Sequence, residues 1–195
     1  MSHHIYHTHG IILSSSSVGE SNRFYKIFTE ELGLVGAMAQ SVREGKSKLR
    51  YTLQDLSLIT VDLVRGKEMW RIVSAGAWRQ GDAINADDMR LKLFARFCAL
   101  LSRLLHGEGR DQELFEEIVR VADFLEKNVI PEDLSFSFEV LAILRILVHL
   151  GYLDPKEYGK FLGAEAYSIE TLMEFEKIRL VAIPKINEAL NASHL

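Results

Sequence analysis

Cysteine is almost missing from this chain: Cys98 stands alone among 195 residues. One thiol excludes an intramolecular disulfide and any four-cysteine zinc site. Long apolar runs are missing too. No window approaches about 18 uninterrupted apolar residues, so a membrane span is not expected. The start, MSHHIYHTHGIIL, lacks the charged-then-apolar layout of a signal peptide, and a cytoplasmic protein fits best. There is no phosphate-cradling glycine loop with its lysine, no cysteine/histidine ligand set and no nucleophile motif. These absences argue against an enzyme and against a bound cofactor. The composition, 48% apolar and 26% charged, is that of an ordinary globular protein, neither disordered nor fibrous.

What the chain does have is a charge asymmetry. Residues 1–79 carry 10 Lys/Arg against 7 Asp/Glu, and residues 80–195 carry 13 against 20. A net +3 in front and −7 behind argue for different partners at the two ends. The basic character peaks in Gly33 to Arg50. Small apolar residues, Leu34 to Ala39, end at Gln40. Arg43, Lys46, Lys48 and Arg50 then fall within eight positions, opposed only by Glu44. A basic loop neutralises phosphates and releases their counterions. Arg23, Lys26 and Arg71 are further candidates for phosphate contact, and Tyr25 and Tyr51 for stacking on unpaired bases.

From Tyr6 to Ala77 the signals are those of a β-meander. Apolar runs recur at Ile11–Leu13, Phe24–Phe28, Leu34–Ala39, Leu58–Val64 and Trp70–Val73. Ser14–Ser17 with Gly19, Glu30–Glu31 with Gly33, Gly45, and Arg65–Gly66 read as the turns between them. Five short strands suit a small closed barrel. Ile59, Val61 and Leu63 share one face; Trp70 and Ile72 share another, which makes Trp70 a core residue. The second strand is apolar on both faces, so its pattern leaves Phe24, Tyr25 and Lys26 unoriented. His3, His4, His7 and His9 read either as metal ligands or as an exposed strand start. No cysteine or carboxylate nearby completes a ligand set, which favours the strand.

After Gln80-Gly81-Asp82, which reads as a linker, the period changes from two to 3.6. Asn85 can cap a helix to about His106, with Asp87 and Asp88 in its first turn and Gly107 past its end. Leu91, Phe94, Cys98, Leu101 and Leu105 form its stripe, so Cys98 is a core residue. Asp111 opens a helix to about Lys127, with Leu114, Ile118, Val121 and Leu125 inward. Pro131 ends the connection that follows. A third helix starts at Ser135 or Ser137 and closes at Gly151; it is apolar almost all round and belongs at the centre of a bundle. Arg145 within it pairs with an acidic neighbour or receives a partner's carboxylate. Asp154-Pro155 reads as the start of a short helix to about Leu162. Ser168 starts the last helix, which Pro184 should kink or split. His106 and His149, near helix ends, read as structural.

An ordered series of short pieces is similar to the bacterial RecO family of recombination mediators. It runs through Gly10-Ile11-Ile12-Leu13, Gly19-Glu20-Ser21, Phe28-Thr29-Glu30-Glu31-Leu32-Gly33, Ala39, Arg43, Lys46-Ser47-Lys48-Leu49 and Leu53-Gln54. It ends in Arg65-Gly66-Lys67-Glu68-Met69-Trp70-Arg71. Further on, Glu113-Leu114-Phe115, Leu144-Arg145-Ile146-Leu147 and Leu150-Gly151-Tyr152 resemble the family's helical domain. The resemblance implies an α+β chain: a five-stranded OB-fold barrel over residues 1–79 and a helical, partner-binding domain over 80–195. It implies binding to single- and double-stranded DNA, strand annealing, and recombinase loading together with RecR and single-strand-binding protein, in the cytoplasm at the nucleoid. Three departures stand out. Gln40-Ser41 replaces the family's Lys/Arg-Gly pair, which removes a positive charge from the loop start. Asp55 replaces a proline. Asp154 to Tyr167 contains no cysteine, so the four-cysteine zinc module of many relatives is absent. The first departure and the acidic back part favour a rival expectation, an OB-fold interaction adaptor with little DNA affinity.

Overall fold

Alternation in the front half builds a barrel. The computed structural model describes residues 4–79, 84, 87–163 and 167–192. His3, the Gln80-Gly81-Asp82 linker and the Asn85 cap lie outside the described residues. The strands are β1 (Ile5–Val18), β2 (Asn22–Thr29), β3 (Gly33–Ala39), β4 (Leu58–Arg65) and β5 (Trp70–Ala77). They close in the order β1-β2-β3-β5-β4, with β4 returning to β1. The pairing is antiparallel except between β3 and β5, where Ala37 faces Trp70 and Met38 faces Arg71 in parallel. The meander expectation is thereby corrected: β3 does not pair with β4, because α1 (Leu49–Thr52) and its flanking loops carry the chain across the barrel end. Ser14–Ser17, read as a turn, instead continue β1 and pair with Arg23–Lys26 of β2. A serine run is compatible with a strand when its partner strand satisfies the backbone. Only Gly19, at φ 62, makes the turn.

The barrel interior is a single apolar cluster in which Ile12, Tyr25, Ile27, Val35, Ala37, Ile59, Val61, Leu63, Trp70 and Ile72 take part. The expected inward faces of β4 and β5 are therefore the observed ones. Strand β2 is oriented by burial as well. Tyr25 and Ile27 point in, and Lys26 points out.

The chain divides into two compact units, Met1–Gly81 with Cys98–Phe115, and Asp82–Phe97 with Glu116–Leu195. In the first unit the segment around Glu108 is tied to the barrel. The Trp70 indole Nε1–H donates to Glu108 Oε1 at 2.9 Å, and Arg65 pairs with the same carboxylate. Gly33 and Glu108 form an isolated bridge, and the Gly109 N–H donates to the Leu32 carbonyl at 3.1 Å. Phe115 packs on Phe28 and stacks on Trp78, whose other face carries the His9 ring.

The helices are α2 (Asp88–Leu104), α3 (Gln112–Lys127), α4 (Glu132–His149) and α5 (Ile169–Ala192). The division between the units falls inside α2 and inside α3. Asp87 is the α2 cap rather than a first-turn residue, since its Oδ1 accepts from the N–H groups of Met89 and Arg90. Asp111 Oδ1 caps α3 through the Leu114 N–H at 3.1 Å. All four expected inward residues of α3 are fully buried. Helix α4 begins at Glu132, a turn earlier than expected. Pro131 sets the entry with no side-chain cap, and Glu132 and Asp133 supply the first-turn charge that favours a helix start. Asp154-Pro155 opens two successive 3-10 turns rather than one helix. Helix α5 runs through Pro184 without a break. The carbonyl that loses its donor belongs to Leu180, a 76% exposed residue, where water can replace it. Within the second unit Phe124, Phe138 and Tyr167 form an aromatic cluster, and Phe161 meets Phe175 edge to face.

Candidate nucleic-acid interface

The connection from β3 to β4 rests on buried apolar anchors. Ala39, Val42 and Leu53 are fully buried in the barrel cluster, and Leu49 packs against it. Between these anchors the polar residues are exposed, because the anchors alternate with them too closely for any other course. Arg43, Lys46, Lys48 and Arg50 all lie in solvent. The loop is nevertheless tethered to the β1–β2 turn. The Arg43 N–H donates to the Ser21 carbonyl at 3.0 Å, and its Nη1 donates to the Gly19 carbonyl at 2.9 Å. The Ser41 N–H donates to Asn22 Oδ1 at 3.0 Å. Ser41 itself is left-handed, φ 51. Here the resemblance calls for glycine, and the strained serine is held by that side-chain contact.

Arg50 and Tyr51 form one surface feature. The guanidinium lies over the phenol ring at 5.0 Å from its centroid, and Nη2 donates to the hydroxyl at 3.1 Å. Tyr51 is 71% exposed, so the ring is presented to solvent with the Arg50 guanidinium over it. Tyr25 is corrected: at 1% exposure it is a barrel residue and offers no ring to a ligand. Burial pushes its hydroxyl pKa up, against the opposing charge of Arg23 and with a further upward push from Asp55.

The other cations divide by position. Arg71 is exposed on β5, and its Nη2 donates to Gln40 Oε1 at 3.2 Å. The loop start, which has Gln40 in place of a basic residue, thus holds a positive charge brought from another strand. Arg23 is half-buried at the end of β2, between Ser17 and Ala39, and its Nε is buried without a hydrogen-bond partner. Lys26 is exposed further along β2, between Ser14 and Gly36. The structure therefore gathers Arg43, Lys46, Lys48, Arg50 and Arg71 around the β3–α1 loop. Lys26 stands along the strand from them. Sequence reasoning missed Gln40, Asn22 and Gly19, which hold the loop; only the strand pairing brings them together.

His7 and His9 leave β1 on the same side, toward Asp62 at 2.6 Å and Glu30 at 3.0 Å. Among the described residues no group of three or more His, Cys, Asp or Glu is placed to hold a metal ion. No described helix is long and apolar enough to cross a membrane.

A closed five-stranded barrel ordered β1-β2-β3-β5-β4, with a helix between β3 and β4, defines an OB-fold protein. Residues 1–79 match the family profile described as the recombination protein O N-terminal domain. Over these residues the chain is similar to the RecO family. It is 28% identical over 149 residues to the DNA repair protein RecO of Clostridium novyi, covering 76% of this chain and 57% of that protein. It is 29% identical over 124 residues to that of Rubrobacter xylanophilus, covering 64% and 50%. It is 29% identical over 148 residues to that of Heliobacterium modesticaldum, covering 76% and 52%. The chain spans about half the length of these curated relatives.

Proposed function

We propose that this protein is a DNA repair and recombination mediator. Its barrel, residues 1–79, binds single- and double-stranded DNA, and residues 80–195 present surfaces to protein partners. The observation that carries the reading is the tethered loop with the exposed cations Arg43, Lys46, Lys48 and Arg50, joined by Arg71. Such a loop contacts backbone phosphates without reading sequence, as a mediator acting on any strand requires. Arg23 and Lys26 extend the positive field along β2. The protein promotes annealing of complementary strands and assists recombinase loading together with RecR and single-strand-binding protein. It works without a cofactor and without enzymatic chemistry, in the cytoplasm at the nucleoid.

The test is a titration of labelled single-stranded DNA at several salt concentrations, with Arg43, Lys46, Lys48 and Arg50 reversed to glutamate in a second protein. Four phosphate contacts predict that log K falls with log salt at a slope of about −3, from ~0.7 per phosphate on single strands. The reversed protein should stay folded and lose binding. Salt-independent affinity, or wild-type binding by the reversed protein, refutes the reading. The acidic balance of residues 80–195 favours a second reading, an OB-fold adaptor. Capture of protein partners without accelerated annealing of coated oligonucleotides would establish it.

A further inference from the structure

Strand β2 alternates, so Phe24, Lys26 and Phe28 take the outward positions between the inward Tyr25 and Ile27. The two outward phenylalanines have different fates. Phe28 is covered and meets Phe115 at 5.9 Å between ring centroids. Phe24 remains partly exposed, and none of the described aromatic rings stacks on it. Its ring lies across β3 at Gly36. A Cβ built on Gly36 would stand 2.6 Å from Phe24 Cζ and 3.0 Å from Cε2. A side chain at 36 would displace the end of the ring, so glycine is what allows Phe24 to reach across β3 there.

The pairing register gives this ring its neighbours. One outward rung runs Ser16, Phe24, Met38, Arg71 across β1, β2, β3 and β5. The next runs Ser14, Lys26, Gly36. Met38 extends the apolar surface beside Phe24. Lys26 and Arg71 stand exposed on either side of it. No carboxylate stands on these two rungs. Arg71 is joined to Gln40, where the basic loop begins.

We propose that Phe24, which reaches over Gly36 and is flanked by Met38, Lys26 and Arg71, is a stacking platform for an unpaired base of a single-stranded nucleic acid whose backbone the β3–α1 loop holds. The inference rests on the loop reading above and adds a second, chemically distinct contact to it. The occupant must offer a π-face and negative charge together. Single-stranded nucleic acid does; a duplex keeps its bases stacked inside and presents phosphates, sugars and base edges but no π-face along its length. The platform therefore makes the surface prefer unpaired strands, which the loop by itself does not.

The experiment compares wild type, Phe24→Ala, Phe24→Tyr, Gly36→Ala and the Phe24→Ala/Gly36→Ala double variant against an oligothymidine and a duplex of equal length. Phe24→Ala should weaken single-strand binding about 5- to 150-fold, the range for one stacked base. Duplex affinity and the salt slope should not change. Phe24→Tyr should keep most of the affinity. Gly36→Ala should weaken binding, and the double variant should lose no more than Phe24→Ala alone. Photo-cross-linking of a 4-thiothymidine oligonucleotide to the wild-type protein should map to β2, a readout independent of how any variant folds. Single-strand affinity unchanged in Phe24→Ala, equal losses on both DNAs, or cross-links mapping elsewhere overturn the platform while leaving the loop reading intact. Binding of an acidic peptide at Phe24 in preference to DNA overturns it too. A wild-type protein that binds neither DNA removes both.

Discussion

Arg145 and Glu117 meet side-on inside the second unit, Nε to Oε1 at 2.5 Å and Nη2 to Oε2 at 2.7 Å. The two side chains are 5% and 7% exposed. The remaining valences are filled as well. Arg145 Nη1 donates to the carbonyls of Phe161 and Gly163, and the Tyr167 hydroxyl donates to Glu117 Oε1 at 2.6 Å. Of the two sequence readings for Arg145, internal pairing is the one observed, and its guanidinium is not open to a partner's carboxylate. Removing Arg145 takes the two-point partner from a buried carboxylate and leaves it to Arg120 and the Tyr167 hydroxyl. Arg145→Ala should destabilise the protein by about 3–5 kcal/mol, measured by urea unfolding.

The same pair sets a pH dependence. Burial pushes the Glu117 carboxyl up, but the hydrogen bonds and charge of Arg145, the Tyr167 hydroxyl and Arg120 outweigh it, and its pKa is lowered. A carboxyl with a depressed folded pKa contributes stability above its unfolded pKa, about 4.3. That contribution disappears as pH falls through the lower folded value. Wild type should therefore lose stability below about pH 4.3 more steeply than Glu117→Gln. Parallel stability curves for the two proteins between neutral and acid pH contradict this assignment.

Gly33 and Gly19 should respond differently to alanine. Both have positive φ, 69 and 62. A Cβ on Gly19 meets nothing within 4 Å, whereas on Gly33 it would stand 2.1 Å from the Gly109 carbonyl oxygen. Gly19→Ala should cost about 1–2 kcal/mol, the left-handed backbone penalty alone. Gly33→Ala adds a backbone collision beside the bridge to Glu108 and should cost distinctly more. Thermal melts of the two variants check the difference; equal losses would show that the Gly33 contact yields freely.

Cys98 is fully buried and burial pushes its thiol pKa far up. Native protein should resist alkylation by iodoacetamide near neutral pH and react at once in denaturant. Rapid labelling of the folded chain would contradict the packing of α2 at this position.

Periodicity carried much of the fold. Alternation placed Ile59, Val61, Leu63, Trp70 and Ile72 inside the barrel, and the 3.6-residue stripe placed Leu114, Ile118, Val121 and Leu125 inside α3. These assignments needed no distant partner, because a side chain's face follows from its neighbours along the chain. The charge run from Arg43 to Arg50 was legible for the same reason. Tyr25 and Phe24 were not. Both faces of β2 are apolar, so only barrel closure decides which ring is enclosed and which lies outside over Gly36.

The sequence by itself determined the apolar centres of the five strands and the four long helices and that a basic loop follows the third strand, since these depend on residues close together in the chain. The tertiary structure alone decided that β3 pairs with β5, that Arg71 from β5 restores positive charge beside Gln40, and that Glu117 lies within reach of Arg145. Those outcomes join residues 28 or more positions apart. Local pattern does not encode such distances; they are fixed only when the barrel closes and the helices pack.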